Sequence, residues 1–503
     1  MGGLLAALDR LTQGTGFRWW ALGVVQVGLF MAVVDASVVN VALPGFMRDL
    51  GIGLDAAEWI ALGYRIVTAI ALLPAGRLAD LLGRKRVFLF GIVVFTLGSA
   101  LCALAPTIWL LVLWRVVQAV GATAILATYA AIIVAVFPQQ ERGKALGIGG
   151  TVIAVATAMS PTLGGILVQY FGPPSVFAIN VPIGVMGAIA AAIVLREERV
   201  STPPRPGEKF DVVGALLAAV AVLTLLLAME NSIGAIPVAP IRLPMIAFGV
   251  LALALFIVYE VRTRWPMLDV RLFTIAPFTI AAAIMMVVSV ALGVNTFLLP
   301  LFLQLGLQDS PVRAGLQLLP LSVALAIVGP VSGSLSDKFG ARWLVFGGLS
   351  VVFLALVTFS FLGDSPPFLL IAIPLLLLGI GAGLYQAPNN SVAFGSVPAD
   401  KLGIVGGVRS TILALGLAFG TALGETIVSA ALTPFGGVEV LETVRDPATR
   451  EAVVAAFVTS QAAAYRIAAA IVLAGVLLAM FRAGTVVEGA PADSASARPA
   501  STE

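Results

Sequence analysis

The stretch VDASVVNVALP, residues 34 to 44, ends a long apolar run that begins at Trp19 and carries one carboxylate, Asp35. The chain has no histidine and a single cysteine, Cys102. That excludes imidazole-ligated metals, multi-cysteine sites, disulfides within the chain, and Ser-His or Cys-His catalysis. Proton chemistry therefore falls to carboxylates. Around Asp35 the available companions are guanidinium groups. Arg115, Gln118 and Gly121 recur every three residues and share a helical face. An arginine inside an apolar segment is costly and normally turns inward to a partner. Arg65 follows Tyr64 in another apolar segment. Counting about 1.5 Å per residue from the nearer segment end puts Asp35, Arg115 and Arg65 in one layer, roughly 10–12 Å deep. Burial disfavours an ionised carboxylate and nearby arginines favour it. Proton uptake by Asp35 then needs a conformational change that frees it, and such a change would be a coupling device. The alternative is a static ion pair that holds three helices in register.

Glu425 is the other strongly apolar-embedded acid, and Arg466 lies at a comparable depth. Together they read as a second charged pair with a structural role. Arg409 lies near a span end, where snorkelling is easy. Gln118, Tyr64, Tyr385, Gln386, Asn389 and Asn390 are polar enough to line a cavity. Trp59, Tyr64 and Tyr385 offer aromatic faces to a lipophilic cation, although aromatics at span ends also serve as interface anchors.

The elements that hold these residues follow from composition. Of 503 residues, 60% are hydrophobic and 11% charged, against about 25% charged in a soluble chain. Only lipid solvates that much apolar surface, so an all-α polytopic membrane protein is expected. Hydropathy resolves fourteen spans, at 19–43, 57–79, 87–105, 108–136, 144–170, 176–195, 211–230, 242–260, 275–303, 313–335, 343–362, 367–390, 403–431 and 461–481. The first is too long for a signal-peptide core. With the N-terminus cytoplasmic, inside segments carry twenty of the 29 basic residues and outside loops five. That asymmetry sets the orientation with both ends inside. The net charge of +3 is then topology, with no hint of nucleic acid.

The expected organisation is a cytoplasmic N-terminus (1–18), a six-helix domain (19–195), a charged proline-rich linker (196–210), two inserted helices (211–260), a second six-helix domain (275–481) and a disordered cytoplasmic tail (482–503). Residues 433 to 460 read as a long outside loop. Two internal echoes support duplication. GRLADLLGRKR (76–86) matches GSLSDKFGAR (333–342), and PQQERGKALG (138–147) matches PADKLG (398–403), at offsets of 257 and 260 residues.

Four motifs carry a family resemblance over residues 19–481. Gly76-x-Leu78-Ala79-Asp80-x-x-Gly83-Arg84-Lys85 places glycines at a tight turn, since only glycine takes positive φ without penalty, and basic residues at the inner surface. Its second copy keeps Gly333, Asp337, Gly340 and Arg342. Arg115-x-x-Gln118 is the second motif. AVATAMSPTLGG (154–165) is the third. Its small residues Ala156, Ser160 and Gly164 recur every four and allow close helix approach, Pro161 should bend the helix, and Gly165 follows. A mirror stripe is Gly416, Gly420 and Gly424. DASVVNVALP is the fourth, with FAINVPIG (177–184), QDSPVRAGLQLLP and PNNSVAF as further segments.

On these residues the chain resembles the major facilitator superfamily, and more narrowly its 14-helix drug:proton antiporters. The resemblance implies parallel six-helix repeats, alternating access about a central cavity, and the first motif as a cytoplasmic latch between the halves. It places both small-residue stripes as seams between moving halves. Ala156 and Ser160 replace family glycines, and Pro173, Pro174 and Ser175 stand where the family has a Trp-Arg-Trp cluster. The function implied is proton-coupled export of lipophilic compounds, cationic ones among them, from the bacterial cytoplasm by a monomer, driven by the proton gradient without a cofactor. No nucleotide-binding loop is present. Export of a lipid, glycolipid or secondary metabolite is the rival on the same scaffold. A non-transporting membrane receptor or scaffold is a second rival, with no need for paired intramembrane charges. No nucleophile–base or metal constellation supports an enzyme.

Overall fold

The computed structural model describes residues 16–138, 141–201, 207–229, 232–233, 236–238, 240–309, 311–435 and 446–481. The expected tail and most of the expected N-terminal segment fall outside them. A chain in lipid must satisfy its backbone hydrogen bonds internally, and helices do so. The long helices are α1 (Phe17–Leu50), α2 (Leu54–Leu82), α3 (Arg84–Ala103), α4 (Ile108–Val136), α5 (Arg142–Phe171), α6 (Ser175–Val194, broken at Ile179), α7 (Val212–Met229) and α8 (Arg242–Arg262). They continue with α9 (Ala276–Leu301), α10 (Pro311–Phe339), α11 (Ala341–Phe359), α12 (Phe368–Gly395), α13 (Leu402–Leu432) and α14 (Pro447–Phe481).

Among the described residues, twelve helices are long and apolar enough to cross a bilayer. α5 is a thirteenth if its two segments, bent by 45° between Thr157 and Thr162, form one span. The bend expected at Pro161 falls in that interval; the Pro161 side chain is outside what is described. The apolar part of α7, Val212–Ala228, is shorter than the rest. The expected outside loop at 433–460 is shorter than anticipated, because α14 already begins at Pro447. Its apolar residues Val453 and Phe457 are buried against the C-terminal half and extend the helix outward.

Helices α1–α6 form one bundle and α9–α14 the other; one apolar core lies wholly within the second bundle, while the core of the first continues across to Phe278 and Ala281 of α9, Phe394 of α12 and Ile404 of α13. Outward faces carry large exposed apolar side chains such as Trp109, Leu251 and Ile327, as lipid contact requires. α7 and α8 pair with each other, joined by a two-strand turn in which Ser232 lies opposite Pro237. α7 also packs on α2 and α13.

The halves meet mainly at α2–α13 and α5–α10, and both seams are glycine contacts. A Cβ on Gly76 would strike the Gly403 carbonyl, and a Cβ on Gly333 would strike the Gly143 carbonyl. These four positions are related by the two sequence offsets, so the duplication is visible as a symmetric pair of backbone contacts. The turns after α2 and α10 rest on Gly83 (φ 101°) and Gly340 (φ 83°), left-handed positions that favour glycine.

Candidate functional site

Five helices of the N-terminal half converge on Asp35, which is fully buried on α1. Arg115 on α4 donates from Nη1 to Asp35 Oδ2 at 2.5 Å. Gln118, one turn further on the same face, donates to Asp35 Oδ1 at 2.8 Å. Asn180 on α6 donates to the same oxygen at 2.9 Å. Ser99 on α3 bonds Gln118 at 2.7 Å, and Arg115 Nε donates to the Ile60 carbonyl on α2 at 3.1 Å. The Arg115 guanidinium lies 4.1 Å from the Tyr64 ring centroid and 5.3 Å from that of Phe177. Asp35 therefore sits in a closed polar knot, with its charge balanced by one arginine and its second oxygen held by two amides. Such an arrangement is what an apolar interior demands of a charge.

Asn180 was not singled out from sequence as a site residue. The signal available was a lone amide in the quoted FAINVPIG segment. Arg65 is not in this knot. It is exposed on α2 and lines a cavity of about 470 Å³ between the halves. Arg65 faces the cavity while Arg115 faces Asp35, so the two arginines point to different surroundings. Gln118, expected in the cavity, is instead buried in the knot.

The cavity is walled by α1, α2, α4, α5 and α13, with Leu226 of α7 at its side. Its charged lining residues are Arg65, Arg409 and Glu425, and the rest is largely apolar. Tyr64 lines the cavity and its ring also lies against the Arg115 guanidinium, so this residue is shared between the cavity wall and the Asp35 knot. Four other expected cavity residues lie elsewhere. Tyr385 is buried against Gly348 of α11. Gln386 faces Gly150 of α5. Asn389 donates to the Ala281 carbonyl at 2.9 Å, and Asn390 accepts from Arg409 Nε at 3.0 Å. α12 is apolar along most of its circumference, so nothing in its pattern fixed which way these residues turn.

Arg409 does not snorkel. It is 6% exposed, with its guanidinium 5.4 Å from the Tyr129 ring across the junction of the halves. The expected pairing of Glu425 with Arg466 is not formed. Arg466 is exposed and takes part in no ion pair among the described residues. Glu425 instead lines the central cavity and a second cavity, of about 380 Å³, bounded by α7, α8 and α13.

The third feature is the junction of α2 with α13, at the motif expected to act as a latch. Asp80, near the end of α2, accepts from the backbone N–H of Gly403 and of Ile404, each at 2.8 Å. It thereby caps the start of α13, whose own N-cap residue Lys401 supplies no side-chain cap. Arg84 holds Asp80 from the other side at 3.2 Å. The linker is built into the latch: Ser201 accepts from the Arg84 N–H at 2.7 Å, the Val200 carbonyl accepts from Arg84 Nη1 at 3.1 Å, and Arg77 pairs with Glu208 at 3.0 Å. Lys85 Nζ donates to the Ala192 carbonyl at 2.9 Å. In the second copy Arg342 stacks on Trp343 at 5.0 Å; the Asp337 side chain is outside the described residues.

The small-residue stripes are seams within halves rather than between them. Ser160 donates to the Ala156 carbonyl at 2.6 Å, and Gly164 stands against Val38 of α1. Gly416 and Gly420 face Ser289 and Val290 of α9. Gly165 has open space around its Cα. The face of α5 that meets the other half carries Gly143 and Gly147, and a four-residue stripe points only one way.

Comparison with known proteins agrees with this architecture. The sequence model described as Major Facilitator Superfamily matches residues 26–421. The chain is 35% identical over 427 residues to multidrug resistance protein Stp of Mycobacterium tuberculosis (strain H37Rv), covering 84% of this chain and 78% of that one. It is 32% identical over 424 residues to the riboflavin transporter RibZ of Clostridioides difficile (strain 630), covering 83% and 89%. The tetracenomycin C resistance and export protein of Streptomyces glaucescens is 29% identical over 416 residues, covering 82% and 77%. Among solved structures, the human organic anion transporter MFSD10 (TETRAN) superposes with a TM-score of 0.60 at 14% identity, covering 90% of this chain and 99% of that one.

Proposed function

The chain belongs to the major facilitator superfamily, and from that premise we propose that it is a proton-coupled exporter of lipophilic small molecules working by alternating access. Family membership makes it an integral membrane transporter of small molecules rather than an enzyme. The direction, the coupling ion and the chemistry of the cargo are the proposal. The carrying observation is Asp35, a wholly buried carboxylate paired with an arginine that packs against Tyr64 of the central cavity's wall. In the proposed cycle the side bearing the termini and the basic loops is cytoplasmic, in the inner membrane of a bacterium, and the latch at Asp80 closes that side. When the halves rock, Tyr64 and α6 shift, Asp35 parts from Arg115 and Asn180, takes a proton from outside, and returns it inward in the other state. The monomer suffices, and no cofactor is used.

Resistance and export proteins among the relatives support the outward direction, and one relative is named a riboflavin transporter. Export of a lipid or glycolipid is a second reading, favoured by the second cavity that reaches Glu425 beside the inserted helices. The test is reconstitution in liposomes with an imposed pH gradient and lipophilic dyes as cargo, with Asp35→Asn alongside. Gradient-driven dye movement in the wild type that Asp35→Asn abolishes is the expected result. Movement indifferent to the gradient, or untouched by the substitution, refutes the coupling.

A further inference from the structure

Four arginines of the described chain are buried: Arg77, Arg84, Arg115 and Arg409. The first three each have a carboxylate, at Glu208, Asp80 and Asp35. Arg409 has none. Its Nε donates to Asn390 Oδ1 and its guanidinium lies over Tyr129, but among the described residues no acid pairs with it and its Nη atoms make no hydrogen bond. A cation this far from solvent is normally paired, because desolvation costs several kcal/mol unless an anion offsets it. Arg409 lines the central cavity, and Arg65 lines it too, against one carboxylate, Glu425. Positive charge therefore exceeds negative on the walls, and the missing counter-anion would have to come from whatever enters.

We propose that Arg409 anchors an anionic group of the transported molecule, so that the cavity selects lipophilic anions over lipophilic cations of the same size. The inference rests on the reading above that this cavity holds the cargo. The guanidinium fork donates two parallel hydrogen bonds to a carboxylate or sulfonate, and binds a phenolate more weakly. Asn390 fixes the fork from behind and Tyr129 supports its face, so little side-chain freedom is lost when an anion arrives. The apolar walls, among them Leu29, Leu72 and Leu413, take the remainder of the molecule.

The test is equilibrium binding to the purified full-length protein of two dyes with one xanthene skeleton and opposite charge. Fluorescein methyl ester, used where its phenol is ionised, is the anion, and rhodamine 123 is the cation. The wild type should bind the anion about tenfold more tightly, which corresponds to about 1.4 kcal/mol. Arg409→Gln should abolish that preference by weakening anion binding, and Arg409→Lys should keep part of it. Equal binding of the two dyes, a preference for the cation, no saturable anion binding, or a preference that survives Arg409→Gln each overturns the proposal. Should Arg409→Gln not fold, the wild-type ratio and the lysine variant decide. Vesicle transport keeps the two readings apart. A flat dye ratio with gradient-driven export sinks only the role of Arg409, while a strong anion preference without gradient dependence sinks only proton coupling.

Discussion

Asp35 Oδ2 stands 2.5 Å from Arg115 Nη1, across the packed core of the N-terminal half, with both side chains out of reach of solvent. Each charge neutralises the other, so neither can be changed alone at low cost. Asp35→Asn leaves Arg115 unpaired, and breaking a buried pair in this way costs about 3–5 kcal/mol. Its melting temperature in detergent should fall clearly. Adding Arg115→Gln should restore much of that stability without restoring gradient-driven transport. If the double variant regains transport driven by pH, the pair is only a fastener between α1 and α4.

Asn180 is the second amide donor on Asp35 Oδ1, beside Gln118. Asn180→Leu removes one of two bonds to that oxygen and leaves Gln118 as its donor, and a buried hydrogen bond to a charged group is worth about 1.5–3 kcal/mol. Thermal unfolding should report a loss of that order, with the response of transport to the pH gradient also altered because one restraint on the carboxylate is gone. An unchanged melting temperature would mean the 2.9 Å contact contributes nothing.

The latch predicts a shift in the balance between conformations. Asp80→Ala removes the cap of α13, and a lost cap costs about 0.5–2 kcal/mol. The closed state should lose roughly two- to thirtyfold in population relative to the open one. A reporter Ala418→Cys, on the cavity wall, should then react faster with an impermeant thiol reagent applied from the side bearing the termini. Native Cys102 is buried and should not compete. Gly76→Ala should act in the same direction, since its methyl runs into the Gly403 carbonyl. Labelling rates equal to wild type in both variants would exclude the latch.

Glu425 is the cavity's one described carboxylate. Glu425→Gln should weaken binding of rhodamine 123 by several-fold while leaving fluorescein methyl ester equal or tighter, because a neutral amide no longer attracts the cation. Equal loss of both dyes would assign Glu425 to packing instead.

Much of this was legible in the sequence, and the limits have a physical cause. Counting along an apolar run gives the depth of a residue, because every helix rises alike. Depth placed Asp35, Arg115 and Arg65 in one layer. Direction around the axis is another matter. In a soluble helix the apolar stripe marks it, but a helix that is apolar all round carries no such mark. Arg115 turned to Asp35 while Arg65 turned to the cavity, and α12 turned Asn389 toward α9, Asn390 toward Arg409 and Gln386 toward α5. The glycines at 76, 143, 333 and 403 were readable as repeats. Their partnership across the halves emerged only when the helices were packed, as did Asn180, whose alignment depends on how α6 lies against α1.

The cap on α13 also bears on how the protein is made. α13 starts without a side-chain cap of its own, and the N–H groups of Gly403 and Ile404 in its first turn are satisfied by Asp80, 323 and 324 positions earlier. The ribosome delivers Asp80 long before it delivers Gly403. The second bundle is therefore born with an unfinished helix end, completed when it docks on the first. On this order of synthesis the two bundles join last, and under the proposed alternating-access cycle the bonds that complete that joining are the ones broken and remade each time.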